Sequence, residues 1–280
     1  MFGNIKPAIS TLTRIGMTDF SADAPSTDVK PGATVKIPVS SVSAASAYND
    51  STNNYLTGGS TNWATLTASH YLQGFDIKGA NIDEGVDAAK IKQLFAYRAG
   101  KGIASAVLGN VRNALDGVTA STAVTIPALA SVTITDYLGL SACKTWLNGQ
   151  DSVLVVNGSE YAKIKAVFAA QNVIGDDKAL ASFLGFADLV CVAGMTARAV
   201  IVPNGSVGFI GRVPAIIARY MESGTQTDED TGLAVGIVVA DDQDHNRLVV
   251  NADLWFGSTV LSAPATAATA GCIKVGTAAA

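Results

Sequence analysis

The bend at residues 241–247 holds the densest group of side chains in this sequence that could do chemistry. Carboxylates, an imidazole and a guanidinium stand close together there: Asp241, Asp242, Asp244, His245 and Arg247. Such a set could bind a cation, or it could form the solvated turn of a hairpin. The spacing inside the bend and the two stretches that flank it bear on this choice.

The calcium interpretation of the bend rests on spacing alone. Asp242, Asp244 and Asn246 have the one-three-five spacing of an EF-hand loop, and Asp253 falls at position twelve. However, Arg247 stands where that loop needs a glycine for its sharp turn, and the bidentate glutamate is absent. The spacing therefore favours a polar turn over a calcium loop.

A β-hairpin over residues 232–257 explains the bend better. Residues 233–240 form a nearly continuous apolar run, which is typical of a buried strand. In the second stretch, alternate residues fall on one side: Leu248, Val250, Ala252 and Leu254. We therefore interpret residues 241–247 as a polar turn between structural strands, available for contacts between subunits.

No other motif predicts a catalytic, cofactor or metal site. The two histidines, His70 and His245, have no neighbour at the spacing of a zinc ligand pair. The three cysteines, at 143, 191 and 272, lie far apart, and their odd number argues against a disulfide framework. We expect no cofactor and no metal, although an enzyme with a site assembled from distant residues stays open as an alternative.

The composition limits the possible partners. Of the 280 residues, 49% are hydrophobic and only 15% are charged, against about 25% charged in an average chain. This low charge is typical of a protein covered by neighbouring subunits, or of a well-packed α/β enzyme. The net charge is −4 with no basic cluster, which argues against a phosphate-neutralising nucleic-acid surface. No apolar run approaches the length of a membrane span, and we expect no membrane partner.

The first third of the chain contains segments that cannot form much core by themselves. Residues 1–34 have weak periodicity and a stretch rich in Ser, Pro, Asp and Gly, which predicts an extended arm. Residues 35–79 predict a long two-stranded ribbon with a broad polar tip. A lone ribbon is barely stable in water, so it must be supported either by its own domain or by another subunit.

The strongest helical signal covers residues 83–115. Apolar side chains recur there every fourth residue: Phe95, Ala99, Ile103, Val107, Val111 and Leu115. The glycines at 100 and 102 predict a kink or a close neighbour at that point. A helix of this length is unusual against the mean of about 11–12 residues.

Residues 122–220 predict a small sheet with helices packed on it. Residues 153–156 read as a buried strand, residues 157–158 as a turn, and Ser159 as the N-cap of a helix. A second short helix is predicted over residues 177–186, and strands follow on both sides of residue 195.

The order of these elements resembles the major capsid protein of tailed bacteriophages, which has the Hong Kong 97 fold. "ATVKIPVSSVSAASAYND" and "WATLTASHYLQGFDIKG" look like its extended loop, and "DEGVDAAKIKQLFAYRAGKGIASAVL" like its spine helix. "DSVLVVNGSEYAKIKAVF" is similar to the strand-turn-helix of its axial domain, and residues 208–257 look like its late peripheral strands. The resemblance covers nearly the whole chain and lies in the order of the segments.

The resemblance implies an α+β fold with four parts. These would be an N-terminal arm (1–34), an extended β-ribbon loop (35–80), a peripheral domain with the spine helix (81–121 and 221–280) and an axial domain (122–220). It also implies a non-enzymatic structural subunit that forms pentamers and hexamers of an icosahedral head around double-stranded DNA. Aromatic residues near the ribbon tip are then candidate contacts between subunits: Tyr48, Tyr55 and Trp63.

The same resemblance implies further partners and one departure. We expect assembly in the host cytoplasm, a separate scaffolding protein, a portal, and a decoration protein as an optional partner. The lysines of the ribbon, Lys36 and Lys78, lie at its base, so the self-catalysed cross-link of some relatives is not expected. An encapsulin-like compartment shell, which shares the fold, is an alternative to the phage head.

Overall fold

A computed structural model describes residues 6–21, 34–40, 61–78, 88–145, 147, 151–171, 175–213, 222–227, 233–245, 247–261 and 271–278. Its α-helices are α1 (Lys6–Ile15), α2 (Ala88–Asp116), α3 (Ile134–Gly139), α4 (Gly158–Ala170) and α5 (Asp177–Leu184). Two 3₁₀ turns cover Leu140–Thr145 and Gln243–His245. The strands form one sheet of six, one sheet of five and one separate pair.

The five-stranded sheet has the order β5-β13-β8-β6-β7. Its strands are β5 (Ala120–Ile126), β6 (Ser152–Val156), β7 (Asp188–Cys191), β8 (Ala199–Pro203) and β13 (Ile273–Thr277). Strands β6 and β7 are parallel and are joined through α4 and α5, whereas β8 runs antiparallel to β6. Every residue of β6 is buried because both faces of this sheet are covered.

The six-stranded sheet contains the late hairpin, as the sequence predicts. It is formed by β1 (Thr18–Asp19), β4 (Ser69–Lys78), β9 (Val207–Arg212), β10 (Glu222–Thr227), β11 (Ala234–Asp242) and β12 (Arg247–Val260). Strand β12 is long enough to have different neighbours along its length. Its first part pairs with β11 on one side and β4 on the other, and its last part pairs with β9.

The ribbon is shorter than predicted. Strand β2 (Thr34–Ser40) pairs only with β3 (Thr61–Thr67), while β4 turns away and pairs antiparallel with β12. The prediction of one two-stranded ribbon over residues 35–79 is therefore wrong for residues 69–78. Backbone hydrogen bonding to β12 and contact with α2 place that segment in the body of the molecule.

The long helix is confirmed, with its start at Ala88 in place of residue 83. At 1.5 Å per residue it is about 43 Å long. The predicted stripe from Ala99 to Leu115 is buried at every position. The predicted close neighbour is Gln73 of β4, because a Cβ on Gly102 would lie 2.7 Å from its Oε1.

Residues 6–15, inside the predicted arm, form a helix that belongs to the core. Ala8, Ile9, Leu12 and Ile15 are buried at 0–1% exposure, and α1 packs on α2 and β7. Their spacing of one, three and three residues places them on one face of a helix. The prediction of an extended arm is therefore wrong for this segment. The apolar stripe is short, and the polar composition of residues 21–33 next to it favours an extended segment.

Two further details differ from the prediction. The N-cap of α4 is Asn157, whose side chain accepts a hydrogen bond from the Glu160 N–H, and not Ser159. The sheet predicted over residues 122–220 also differs. Strand β9 belongs to the six-stranded sheet, and the five-stranded sheet includes β13 from the end of the chain. The division into peripheral and axial domains stays a prediction.

A single large core joins the two sheets. It contains the buried face of α2, the apolar face of α1, and inward residues of both sheets, such as Val155 and Val200 of one and Leu254 and Phe256 of the other. A second core lies between the opposite face of the five-stranded sheet and helices α3, α4 and α5. A third, smaller core lies under the β2–β3 pair.

Candidate functional site

The polar bend is cross-linked by its own side chains. The Asp242 carboxylate accepts hydrogen bonds from His245 Nδ1 at 2.9 Å and from Arg247 Nε at 2.6 Å. Arg247 also reaches Asp76 of β4 at 3.5 Å. These bonds from His245 and Arg247 lower the pKa of Asp242. The Asp242 carboxylate therefore closes the turn, and Arg247 joins the turn to β4.

The remaining residue of the calcium alternative lies elsewhere. Asp253 is in β12, six residues beyond Arg247, or roughly 20 Å along an extended strand. Its carboxylate contacts His70 Nε2 of β4. Within the ranges that the structure describes, no group of three or more His, Cys, Asp or Glu side chains could hold a metal ion. The geometry of the bend thus favours the turn interpretation.

His70 lies where the chain leaves the ribbon and enters the body. Its ring stacks on Trp255 with centroids 4.8 Å apart and an interplanar angle of 12°. Trp255 in turn packs in the third core with Val35, Ile37 and Leu66 of the ribbon. The contact therefore fixes the root of the ribbon to β12.

A buried ion pair that the sequence did not indicate joins three elements. Glu160 of α4 is 1% exposed, and it accepts hydrogen bonds from Arg198 Nε at 2.8 Å and from the Tyr137 hydroxyl at 2.5 Å. Arg198 also donates to the Pro127 carbonyl at 2.6 Å. Burial, together with the bond to Glu160, raises the pKa of Tyr137. The Tyr137 phenol therefore stays protonated, and Arg198 is bound by two acceptors, so this group has a structural role.

A second polar cluster ties α1 to the five-stranded sheet. Arg14 donates to both carboxylate oxygens of Asp188, at 2.7 and 2.8 Å, and to the Leu189 carbonyl at 2.7 Å. The hydrogen bond to Asp188 raises the pKa of Arg14. Asp177 of α5 accepts from the Tyr161 hydroxyl at 2.6 Å and pairs with Lys165 at 3.0 Å. The cluster keeps α1 docked beside β7.

The cysteines are all free. Burial raises the pKa of Cys272 to about 12 and also raises the pKa of Cys191. Thiols with raised pKa values are poor nucleophiles. The structure therefore gives these two cysteines a packing role.

The predicted contact residues of the ribbon lie mostly beyond the described ranges. Tyr48 and Tyr55 fall outside them, and Trp63 is placed by its backbone only, opposite Pro38 in the β2–β3 pair. Their role in contacts between subunits stays a prediction.

Large apolar side chains that are exposed give further candidates, which the sequence reading missed. Among the described residues these are Leu72 at 56%, Tyr97 at 43% and Phe183 at 50% exposure. Phe183 lies in a helix whose leucines, Leu180 and Leu184, are buried, so no sequence pattern separates it from the core. Leu72 differs, because most of β4 around it is exposed or half-buried. None of the described helices is long and apolar enough to cross a membrane.

Comparisons with known proteins identify structures of similar fold but no protein related in sequence. The sequence matches no protein-family model and no curated protein. The structure is similar to the capsid of an empty GTA particle, with a TM-score of 0.58, 10% identity, and 96% of this chain and 90% of that chain covered. It is similar to the capsid of Myoviridae phage XM1, with a TM-score of 0.53, 12% identity, and 95% of this chain and 91% of that chain covered.

A third similar structure is the virus-like particle from Pyrococcus furiosus, with a TM-score of 0.52, 9% identity, and 93% and 92% of the two chains covered. All three likenesses cover at least 93% of this chain. The chain therefore has the α+β fold of tailed-phage capsid proteins, as its order of elements predicted.

Proposed function

We propose that this chain is the structural subunit of an icosahedral shell, the major capsid protein of a phage head that encloses double-stranded DNA. Copies of the chain would assemble into pentamers and hexamers, and the subunit would have no enzymatic role. The observation that carries the proposal is the likeness in fold to two capsids over at least 95% of this chain.

The physical chemistry of the subunit supports the proposal. Large apolar side chains stand exposed on β4, α2 and α5, and such residues are typical of protein–protein interfaces. The root of the ribbon is anchored in the third core, so its direction is set by the subunit that carries it. A ribbon held at one end can reach a neighbour without first being ordered by that neighbour.

Electron microscopy of the purified protein tests the proposal. The chain would be expressed alone and together with a scaffolding protein, and each preparation would be separated by sedimentation. Closed particles with fivefold and sixfold clusters are the expected result. A chain that stays monomeric in both preparations would contradict it.

An encapsulin-like compartment is the second candidate, and the likeness to the Pyrococcus furiosus virus-like particle favours it. The contents of particles purified from the natural source separate the two. Double-stranded DNA inside the particle supports a phage head, whereas an enclosed enzyme supports a compartment. The net charge of −4 is consistent with an inner surface that does not bind DNA tightly.

The N-terminal helix makes a specific prediction about maturation. Cleavage after Ser21 would remove α1 and β1, uncover the core around Leu12 and delete the pairing with β9. We therefore expect mass spectrometry of mature particles to recover peptides that cover residues 6–21. A mature subunit that begins after residue 21 would show that a scaffolding segment is cut from this chain.

A further inference from the structure

An exposed aromatic side chain and a cleft lie at opposite edges of the five-stranded sheet. Phe183 of α5 is 50% exposed, and α5 packs beside the edge strand β7. The cleft lies beside the other edge strand, β5, with a volume of about 360 Å³. Four strand spacings of about 4.8 Å place the two edges about 19 Å apart.

The aromatic side chain is held in position. Phe183 meets the buried Phe168 of α4 edge-on, with ring centroids 5.4 Å apart at 89°. Its neighbours Leu180 and Leu184 are buried in the second core, so α5 cannot rotate to hide it. A pre-positioned aromatic side chain loses little conformational entropy when it is covered, which is typical of an interface anchor.

The cleft can receive such a side chain. It is lined by small and apolar groups with a few polar ones, among them Ala123, Thr125, Thr135, Asp136, Leu140 and Ala142. Its volume corresponds to about a dozen water molecules at roughly 30 Å³ each. Displacement of that water by an aromatic ring would bury apolar surface on both partners.

Charged groups stand near both features. Helix α5 carries both signs, because Asp176 caps the helix and Asp177 begins it. Asp177 pairs with Arg14 and Lys165. Asp136 lines the cleft, and hydrogen bonds from Thr133 lower its pKa, so its carboxylate is ionised at neutral pH. Lys178 is exposed in the first turn of α5, the same helix that carries Phe183. When α5 of one copy approaches the cleft of another, the lysine would meet an acidic rim.

We infer that Phe183 of one copy inserts into the β5-side cleft of the next copy in a ring of subunits. A ring needs two different, complementary patches on each subunit, because every contact is head-to-tail. Patches at opposite edges of one sheet meet that requirement, and a patch that contacted itself would give only a dimer. The inference rests on the proposed shell function and assigns one of its contacts.

Cysteine cross-linking in assembled particles tests the contact. The variant with both Phe183→Cys and Ala142→Cys would be oxidised mildly and separated on a non-reducing gel. We expect a ladder of disulfide-linked subunits, while each single variant and the control pair Leu72→Cys with Ala142→Cys remain mostly monomeric. Particles of the double variant that give only monomers would overturn the inference and leave the shell function standing.

A single substitution gives an independent measurement. Phe183→Ser should raise the subunit concentration needed for assembly by about tenfold or more, as expected for loss of an interface anchor. The conservative control Phe183→Tyr, which keeps an aromatic ring at the same site, should change it much less. Unchanged assembly of a folded Phe183→Ser variant would overturn the contact. Failure of the wild-type chain to assemble at all would instead overturn the proposed function, and the contact with it.

Discussion

At the residue scale, Glu160 and Arg198 form the most deeply buried ion pair in the part of the chain that the structure describes. Glu160 is 1% exposed, and the Arg198 side chain is 18% exposed. The two hydrogen bonds between them and the bond from Tyr137 compensate for the removal of the carboxylate from water. Because Arg198 also holds the Pro127 carbonyl, the pair sets the path of the chain between β5 and α3.

Removal of one member should therefore leave an uncompensated buried charge. We expect Arg198→Met to lower the free energy of unfolding by about 3 kcal/mol, the lower end of the range for a broken buried pair. Urea denaturation of the unassembled subunit measures this. Adding Glu160→Gln should recover part of the loss, and Lys178→Met, an exposed control, should change little. A loss no larger than that of the control would contradict the assignment.

Asp116 gives a prediction about pH. Its carboxylate, at the end of α2, accepts hydrogen bonds from the Ala197 N–H at 2.7 Å and the Thr196 N–H at 3.0 Å. Burial acts to raise its pKa, but these hydrogen bonds outweigh burial and lower the pKa below the ordinary value of an aspartate. The stabilisation is therefore present above about pH 4 and is lost as the pH falls through the lowered pKa.

The variant Asp116→Asn should reveal that dependence. At pH 7 we expect it to be less stable than wild type by about 1 kcal/mol, because charged hydrogen bonds become neutral ones. The difference should shrink as the pH falls below about 4, where the wild-type carboxyl becomes protonated. Urea titrations of both proteins at several pH values measure the difference. A gap that stays constant down to about pH 2 would contradict this role.

At the element scale, periodicity separates what the sequence could predict from what it could not. Helix α2 and the β11–β12 hairpin were predictable because each has a long, regular pattern that one buried face imposes. Helix α1 was missed because its amphipathic stripe covers only ten residues and stands next to the polar stretch 21–33. The exposed Phe183 and the Glu160–Arg198 pair depend on tertiary neighbours that no local pattern encodes.

Helix α1 contributes to stability as a core element, and one substitution tests this. Leu12 is fully buried against α2, so Leu12→Ala should lower the free energy of unfolding by about 3 kcal/mol. Ser10→Ala, on the exposed side of the same helix, keeps helix propensity high and should have little effect. Denaturant titration compares the two. Equal stabilities would show that α1 is detached in solution, as an arm would be.

At the scale of the whole molecule, α2 and α1 join the two sheets into one structure. The largest core takes residues from both sheets. The Asn110 side chain accepts a hydrogen bond from the Ser258 N–H and donates one to the Tyr71 hydroxyl, which fixes α2 across the six-stranded sheet. Six residues further along α2, at its last residue, Lys274 of β13 donates to the Asp116 carbonyl at 2.8 Å. Neither sheet can lose its packing without exposing the face of the helix that it shares.

This shared core predicts that the unassembled subunit unfolds in one transition. Far-ultraviolet circular dichroism reports the helices and sheets, and tryptophan fluorescence reports Trp255 of the six-stranded sheet together with Trp63 and Trp146. The two signals should give coincident urea transitions. Val107→Ala, in the middle of the α2 stripe, should shift both transitions equally and lower stability by about 1–3 kcal/mol. Two separated transitions would mean that the sheets are independent domains, and α2 would then be a linker between them rather than the element on which both depend.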